Sequence, residues 1–284
     1  IRGYGEKMLK KLLLKMILYF GLPVIGIIIL FNTNVYLGVL GIIIYIIALV
    51  LVNLTSIYSF KGQIEYQKEN LEEAKKWYEK ASKSKKAKTV VIVNYGFILF
   101  KTGKLEEAEK VFLSAMESSK SSDDKNMAKS NLALVLWKKG ELDNAISMLK
   151  EVISEYKTTS IYGSLGYLSI EKGDLDEALE INLEAYDYNP DNTVIQDNLA
   201  HLYHLRGEMD KAEELFEKLI KSEPYFPEAY YDYGLYLEDC GKAEEAAEMY
   251  KKALSTKFNY NSTVSKEKVQ ERYDKISNNL GDKQ

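Results

Sequence analysis

Few residues in this chain are equipped for chemistry. Its only two histidines, His201 and His204, follow Asp197 at i+4 and i+7, on one face of a helix. Imidazole and carboxylate at that spacing could share a metal ion or form a patch that titrates near neutral pH. No fourth ligand accompanies them, and histidines three apart chelate less well than histidines four apart. The expected role of this set is therefore to line a groove, and no cofactor is expected. One cysteine, Cys240, excludes an intramolecular disulfide and a thiolate-built zinc site. It lies just before Gly241, where a half-buried structural thiol is expected. There is no phosphate-cradling glycine loop, no nucleophile elbow and no Ser/His/Asp set at a recognisable spacing. The carboxylates of Glu106, Glu107 and Glu109, and of Glu244, Glu245 and Glu248, fall on solvent-facing helix positions. With no convergent set of titratable groups, the chain is expected not to be an enzyme.

The elements that carry these residues repeat. Ala74, Ala108, Ala145, Ala178, Ala212 and Ala246 are separated by 34, 37, 33, 34 and 34 residues. A fixed period of that size marks a stack of identical supersecondary units rather than one closed core. Gly103, Gly140, Gly173, Gly207 and Gly241 each follow one amphipathic run and precede another, as helix-ending glycines do. Gly62, Gly96, Ala133, Gly166, Ala200 and Gly234 mark the first helix of each unit. They are expected to pair with the six alanines, small against small. Six units begin near Thr55, Thr89, Asn126, Thr159, Thr193 and Pro227, and residues 118–125 are expected to form a surface loop. Beyond Asn261, Val269, Tyr273, Ile276 and Leu280 share one face, as a terminal helix covering the last unit would require.

This pattern resembles the tetratricopeptide repeat (TPR) family. The family signature stands in Tyr162, Leu165 and Gly166 with Ala178, Ala185 and Pro190. It stands again in Tyr230, Tyr233 and Gly234 with Ala246, Tyr250 and Ala253. Two departures are Glu69 in place of a turn glycine and Asn182 in place of an aromatic residue.

Residues 1–54 have another composition. A basic segment, 1–15, precedes two apolar runs, 16–31 and 35–54, long enough with Leu12 to Leu14 to cross a bilayer as a hairpin. Arg2, Lys7, Lys10, Lys11 and Lys15 precede the first run, and Lys61, Lys68, Lys75 and Lys76 follow the second. The uncharged connection between the runs then places both ends in the cytoplasm. No proline interrupts residues 35–67, so the second run is expected to continue into the first repeat without a linker. The expected fold is all-α: a transmembrane hairpin at 16–54, six repeats over 55–260, and a capping helix and tail at 261–284. The chain opens on Ile1, which implies a fragment or an altered start, with Met8 the expected beginning. Only three of its 38 basic residues are arginine, and that lysine bias points to an AT-rich bacterial genome. The expected location is the bacterial inner membrane, multi-pass.

Net charge is −4 overall, with +4 in residues 1–31, which leaves an acidic remainder and argues against nucleic acid. The resemblance implies a concave surface lined by the first helices. At those positions stand Phe97, Phe100, Leu134, Trp137, Tyr167, Ile170, His201, His204, Tyr231 and Leu235. An aromatic stripe of that extent suits a partner protein, helix or peptide with apolar anchors and some lysine or arginine. Lys101 and Lys138 lie low on their helices, so a carboxylate clamp built with Asn131 and Asn198 is not expected. The leading expectation is a membrane-anchored adaptor, and the alternative a membrane-linked peptide sensor.

Overall fold

The structure is a computed structural model that describes residues 13–281. Arg2, Lys7, Lys10 and Lys11, and the last three residues of the expected tail, lie outside the described residues. Among the described residues the chain forms fifteen helices and no strand.

The first two helices, α1 (Leu13–Thr33) and α2 (Val35–Val52), form the apolar hairpin. Helix α1 extends beyond the run 16–31 at both ends and reaches 21 residues, with Leu13, Leu14 and Lys15 added upstream and Asn32 and Thr33 downstream. Asn34 alone makes the turn: its backbone is extended and its side chain accepts from Tyr36 N at 2.7 Å. A π-turn over Ile17–Gly21 precedes Pro23. Proline has no N–H for the carbonyl four residues back, that of Tyr19. Tyr45 of α2 donates its hydroxyl to that carbonyl at 2.7 Å. Small residues let the helices approach closely: Gly38 lies beneath the Phe31 ring and Gly41 beside Leu30. Helix α2 passes into α3 (Leu54–Gln67) through one non-helical residue, Asn53. Its N–H bonds Leu49 and Val50 carbonyls, and its own carbonyl accepts from Ile57 N at 3.0 Å.

Six antiparallel helix pairs follow: α3 with α4 (Leu71–Ser82), α5 (Thr89–Lys101) with α6 (Leu105–Ser118), and α7 (Ser122–Lys138) with α8 (Leu142–Glu155). The array continues with α9 (Thr159–Lys172) and α10 (Leu175–Tyr188), α11 (Thr193–Leu205) and α12 (Met209–Lys221), and α13 (Pro227–Asp239) and α14 (Ala243–Ser255). Five turns carry glycine with φ between 73° and 90°. At the first turn Glu69 takes that left-handed conformation instead, at φ 63°. A side chain there is strained by about 1–2 kcal/mol. The 37-residue step adds to a helix rather than to a loop. Only three residues separate α6 from α7, because Ser121 caps α7 by accepting from Asp124 N at 3.1 Å. Asp123 and Asp124 in the first turn favour the helix further.

At the glycine-bearing pairs the nearest neighbour is a side chain larger than the expected alanine. A Cβ on Gly62, Gly96 or Gly234 would strike the ring of Tyr78, Phe112 or Tyr250, at 2.9, 2.6 and 2.5 Å. Each ring belongs to the residue four after the conserved-spacing alanine, so the packing is ring over glycine. Helical side chains lean toward the helix N-terminus, which carries that ring back over the first helix. Each buried ring contributes about 2 kcal/mol. In the fourth pair Asn182 fills the place, and its amide donates to the Gly166 and Ala178 carbonyls at 3.2 and 2.9 Å. Helix α15 (Lys266–Gly281) closes the array by burying Val269 and Ile276 against α14, with Tyr273 packed beside them.

Candidate functional site

The first helices of successive pairs line one concave face. Between α14 and α15 runs an irregular segment, 256–265, that crosses this face as a strap. Lys257 ion-pairs with Glu69 of the first repeat. Tyr260 stands edge-on to Phe100 with ring centroids 5.7 Å apart. Lys101 Nζ donates to Asn259 Oδ1 at 3.4 Å, and Lys138 Nζ to the Ser262 carbonyl at 3.5 Å. Thr263 N donates to Glu228 Oε1 at 2.6 Å. The strap thus joins the sixth repeat to the first three across the groove.

Strap and helices enclose a cavity of about 600 Å³. Six of the ten stripe residues line it: Phe100, Leu134, Trp137, Tyr167, Ile170 and His201. Trp137 and Tyr167 meet edge-to-face at 5.7 Å, and Trp137 Nε1 donates to Glu171 at 2.9 Å. The other four stand elsewhere. Phe97 lies between Tyr66 and Phe100, at 6.3 and 6.4 Å. His204 turns to Asp239, with Nε2 2.8 Å from the carboxylate, and its ring meets Tyr236 edge-on. Tyr231 is 4% exposed, packed on Tyr250 under α15, and Leu235 joins the same core. Position 231 precedes Asp232, which lines the cavity, by one residue, about 100° of helix, and that is enough to separate a core position from a groove one.

The two histidine rings stay edge-on with centroids 6.5 Å apart, but their nitrogens turn to different carboxylates. His201 Nδ1 faces Asp232 at 3.6 Å while His204 faces away, and Asp197 is buried at 5% exposure. Among the described residues no group of three His, Cys, Asp or Glu side chains is placed to hold a metal ion. Cys240 is exposed rather than half-buried. Asn131 and Asn198 spend their amide donors on the Met127 and Gly163 carbonyls, at 2.8 Å each. Lys101 and Lys138 do reach the concave face, where they hold the strap.

One end of the cavity is acidic. Asp197 of α11 is joined there by Glu228 and Asp232 of α13, one turn apart. Burial, then the nearby Asp232 and Glu228, push the Asp197 carboxyl well above the usual carboxylate range. Burial raises Asp232, against the pull of His201, and raises Glu228, against backbone N–H donors. Tyr167 is raised by burial and by Glu171. Under the strap, burial lowers Lys101, and it lowers Lys138 against the pull of Glu171 and Glu228. Sequence reasoning missed Glu228, Asp232 and the strap. The signal available was modest: Glu228 and Asp232 at i, i+4, and a ten-residue connection longer than any between repeats.

Models of the tetratricopeptide repeat match residues 55–88, 91–122 and 227–260, with others over 130–193 and 169–231. The chain belongs to the tetratricopeptide repeat family. A TPR repeat-containing protein of Methanocaldococcus jannaschii is 26% identical over 149 residues, 52% of this chain and 26% of that relative. TPR repeat-containing protein YvcD of Bacillus subtilis is 27% identical over 149 residues, 52% of this chain and 31% of that relative. The chain therefore spans less than a third of the length of these curated relatives. A thermophilic TPR protein from Thermus thermophilus shares the fold, with TM-score 0.54, 21% identity, and coverage of 66% of this chain and 98% of that one.

Proposed function

We propose that this TPR protein is a membrane-anchored adaptor that receives a segment of a partner protein in its concave cavity. The observation that carries this reading is the cavity itself, with aromatic and aliphatic walls from four consecutive repeats and polar groups at both ends. Concave apolar surfaces with a few placed polar groups are what ligands occupy. A non-enzymatic role and no nucleic-acid partner go with it, since the walls carry neither a nucleophile–base pair nor a basic face.

Anchoring is supported by the hairpin. Helices α1 and α2 are long and apolar enough to cross a membrane, and Gly38 is the only buried residue in either. A soluble core helix would be covered by its own protein, whereas these present leucine, isoleucine, valine and phenylalanine outward on all sides. The bilayer is the occupant such a surface fits, with both ends and the array in the cytoplasm of a bacterial cell.

The test is paired affinity capture of the full chain in detergent, as the native protein and with Trp137→Ala and Tyr167→Ala together. A protein held by the native chain and lost with the double variant supports the adaptor. The same set captured by both sinks it. A reporter fused after Gln284 that is active only outside the membrane would sink the topology.

The strap favours a second reading, peptide sensing. Its anchors span the first and sixth repeats, and Glu69, its partner in the first, lies in the turn that follows α3, the helix one residue beyond α2. A ligand that lifts the strap would change curvature next to the membrane helices.

A further inference from the structure

The acidic end of the cavity lacks something that its chemistry demands. Asp197, Glu228 and Asp232 gather there from two adjacent first helices. Among the described residues no lysine or arginine contacts any of the three: His201 faces Asp232 at 3.6 Å, His204 and Lys268 act on Asp232 and Lys138 on Glu228 only from further off, and Asp197, the most buried, has no basic group acting on it. Asp197 is 95% buried, since its exposure is 5%, yet its Oδ1 has no hydrogen-bond partner. Asn261 of the strap adds another acceptor without a partner, its Oδ1, on the same cavity.

Buried carboxylates without a counter-charge are costly, and neighbours of like charge raise that cost. Such an arrangement persists when something outside the free protein completes it. The missing group must be a donor carrying positive charge. A metal ion fits poorly, since these acids do not converge into a set able to chelate one. An ammonium or guanidinium group, with several N–H donors spread in space, matches dispersed acceptors better. The walls suit the stem of such a side chain, because Trp137 and Tyr167 offer aromatic faces and edges to methylenes. Lys138 already lies on the Trp137 ring at 4.0 Å, which shows that this indole accepts an ammonium neighbour.

We propose that the cavity takes a lysine or arginine side chain of the partner segment, its cationic head seated among Asp197, Glu228 and Asp232. This rests on the groove reading and specifies it: one basic residue anchors the ligand, and apolar residues flank it along Trp137 and Tyr167.

The test uses the full chain in detergent and two acetylated, amidated decapeptide pools. Both are randomised without lysine or arginine, except that the fifth position is lysine in one and norleucine in the other. The lysine pool should be retained at least about tenfold more strongly, and Asp197→Asn with Asp232→Asn should abolish the preference. Glu228→Gln alone should weaken it, which provides a second variant should the double one fold poorly. Equal retention of both pools, lost with Trp137→Ala and Tyr167→Ala, would overturn the cation site and leave the groove standing. Retention of neither pool would overturn both. A lysine preference untouched by all three acid substitutions would overturn this location. Free n-hexylammonium bound as tightly as the lysine pool would overturn the assignment to a partner segment.

Discussion

Gly234→Ala should destabilise the array, although alanine is the better helix former. A Cβ at Gly234 would lie 2.5, 2.9 and 3.0 Å from Cε1, Cδ1 and Cζ of Tyr250. Carbon atoms pack at about 3.5–4.0 Å, so the ring would have to retreat by about 1 Å. It has nowhere to go. Tyr250 is fully buried, its hydroxyl donates to Glu238, and Arg272 of α15 holds the other oxygen of that carboxylate at 3.1 Å. Overpacking of this kind costs about 1–3 kcal/mol, and the gain in helix propensity returns about 1. The net loss should be about 1 kcal/mol, which for a domain of this size lowers the melting temperature by about 2–4 °C.

A second background makes the sign decisive. With Tyr250→Leu in place the clash is relieved, and Gly234→Ala should then stabilise by about the propensity difference, 1 kcal/mol. Ala133 and Leu149 of the third repeat share one core cluster and stand as a natural version of that pair. In the fifth repeat Ala200 shares the core with Phe216, whose ring stacks on Tyr233 at 5.2 Å. The assay is thermal melting of the full chain in detergent, followed by circular dichroism, for the four members of the cycle. If Gly234→Ala raised the melting temperature in both backgrounds, ring-over-glycine packing would be wrong.

Tyr45→Phe should leave the Tyr19 carbonyl unbonded, seen as an upward shift of its stretch in isotope-edited infrared spectra; in a Pro23→Ala background the shift should be smaller. Asp197→Asn should raise stability at neutral pH and flatten its pH dependence. The folded Asp197 carboxyl titrates above its unfolded value, so its contribution is complete below about pH 4 and lost as pH rises toward the folded value. Melting curves at several pH values should show the gap between variant and native chain widening with pH; a gap that narrows refutes it. Tyr260→Ala should loosen the strap and speed amide exchange over 257–263 without slowing or speeding exchange in α9 and α10. Acceleration throughout the array would mean instead that the strap is part of the core.

The repeats were legible because each one is local. Alanine spacing, turn glycines and amphipathic runs report contacts within about 34 residues, and each helix pair buries its face on the next. The hairpin was legible for an equally local reason, since apolar length alone states a helix's surroundings. Rotation about each helix axis was harder to read. Stripe positions such as Tyr231 fell into the core, because neighbouring positions on a helix differ by about 100° while groove and core are adjacent sectors. Ring-over-glycine packing was misread as small-on-small for a related reason: spacing identifies which positions face a neighbour, and side-chain lean decides which of them touch.

The site escaped the sequence because it violates the rule that made the fold readable. Lys101 and Asn259 are 158 residues apart, and Lys138 and Ser262 are 124 apart. A solenoid's stability comes from nearest neighbours, so nothing in the periodic pattern requires its last loop to bridge the second and third repeats. The bridge leaves traces only as exceptions to the pattern. Glu69 occupies a left-handed turn position where the other turns have glycine, and its carboxylate meets Lys257. That pair is exposed, with both side chains more than half accessible, and stabilises by at most about 1 kcal/mol. Strain at Glu69 is of the same size, so the contact contributes almost nothing net to folding. A residue that is strained in its own turn and gains little from its ion pair makes poor sense as packing. It makes better sense as an anchor for a strap held loosely enough to be lifted.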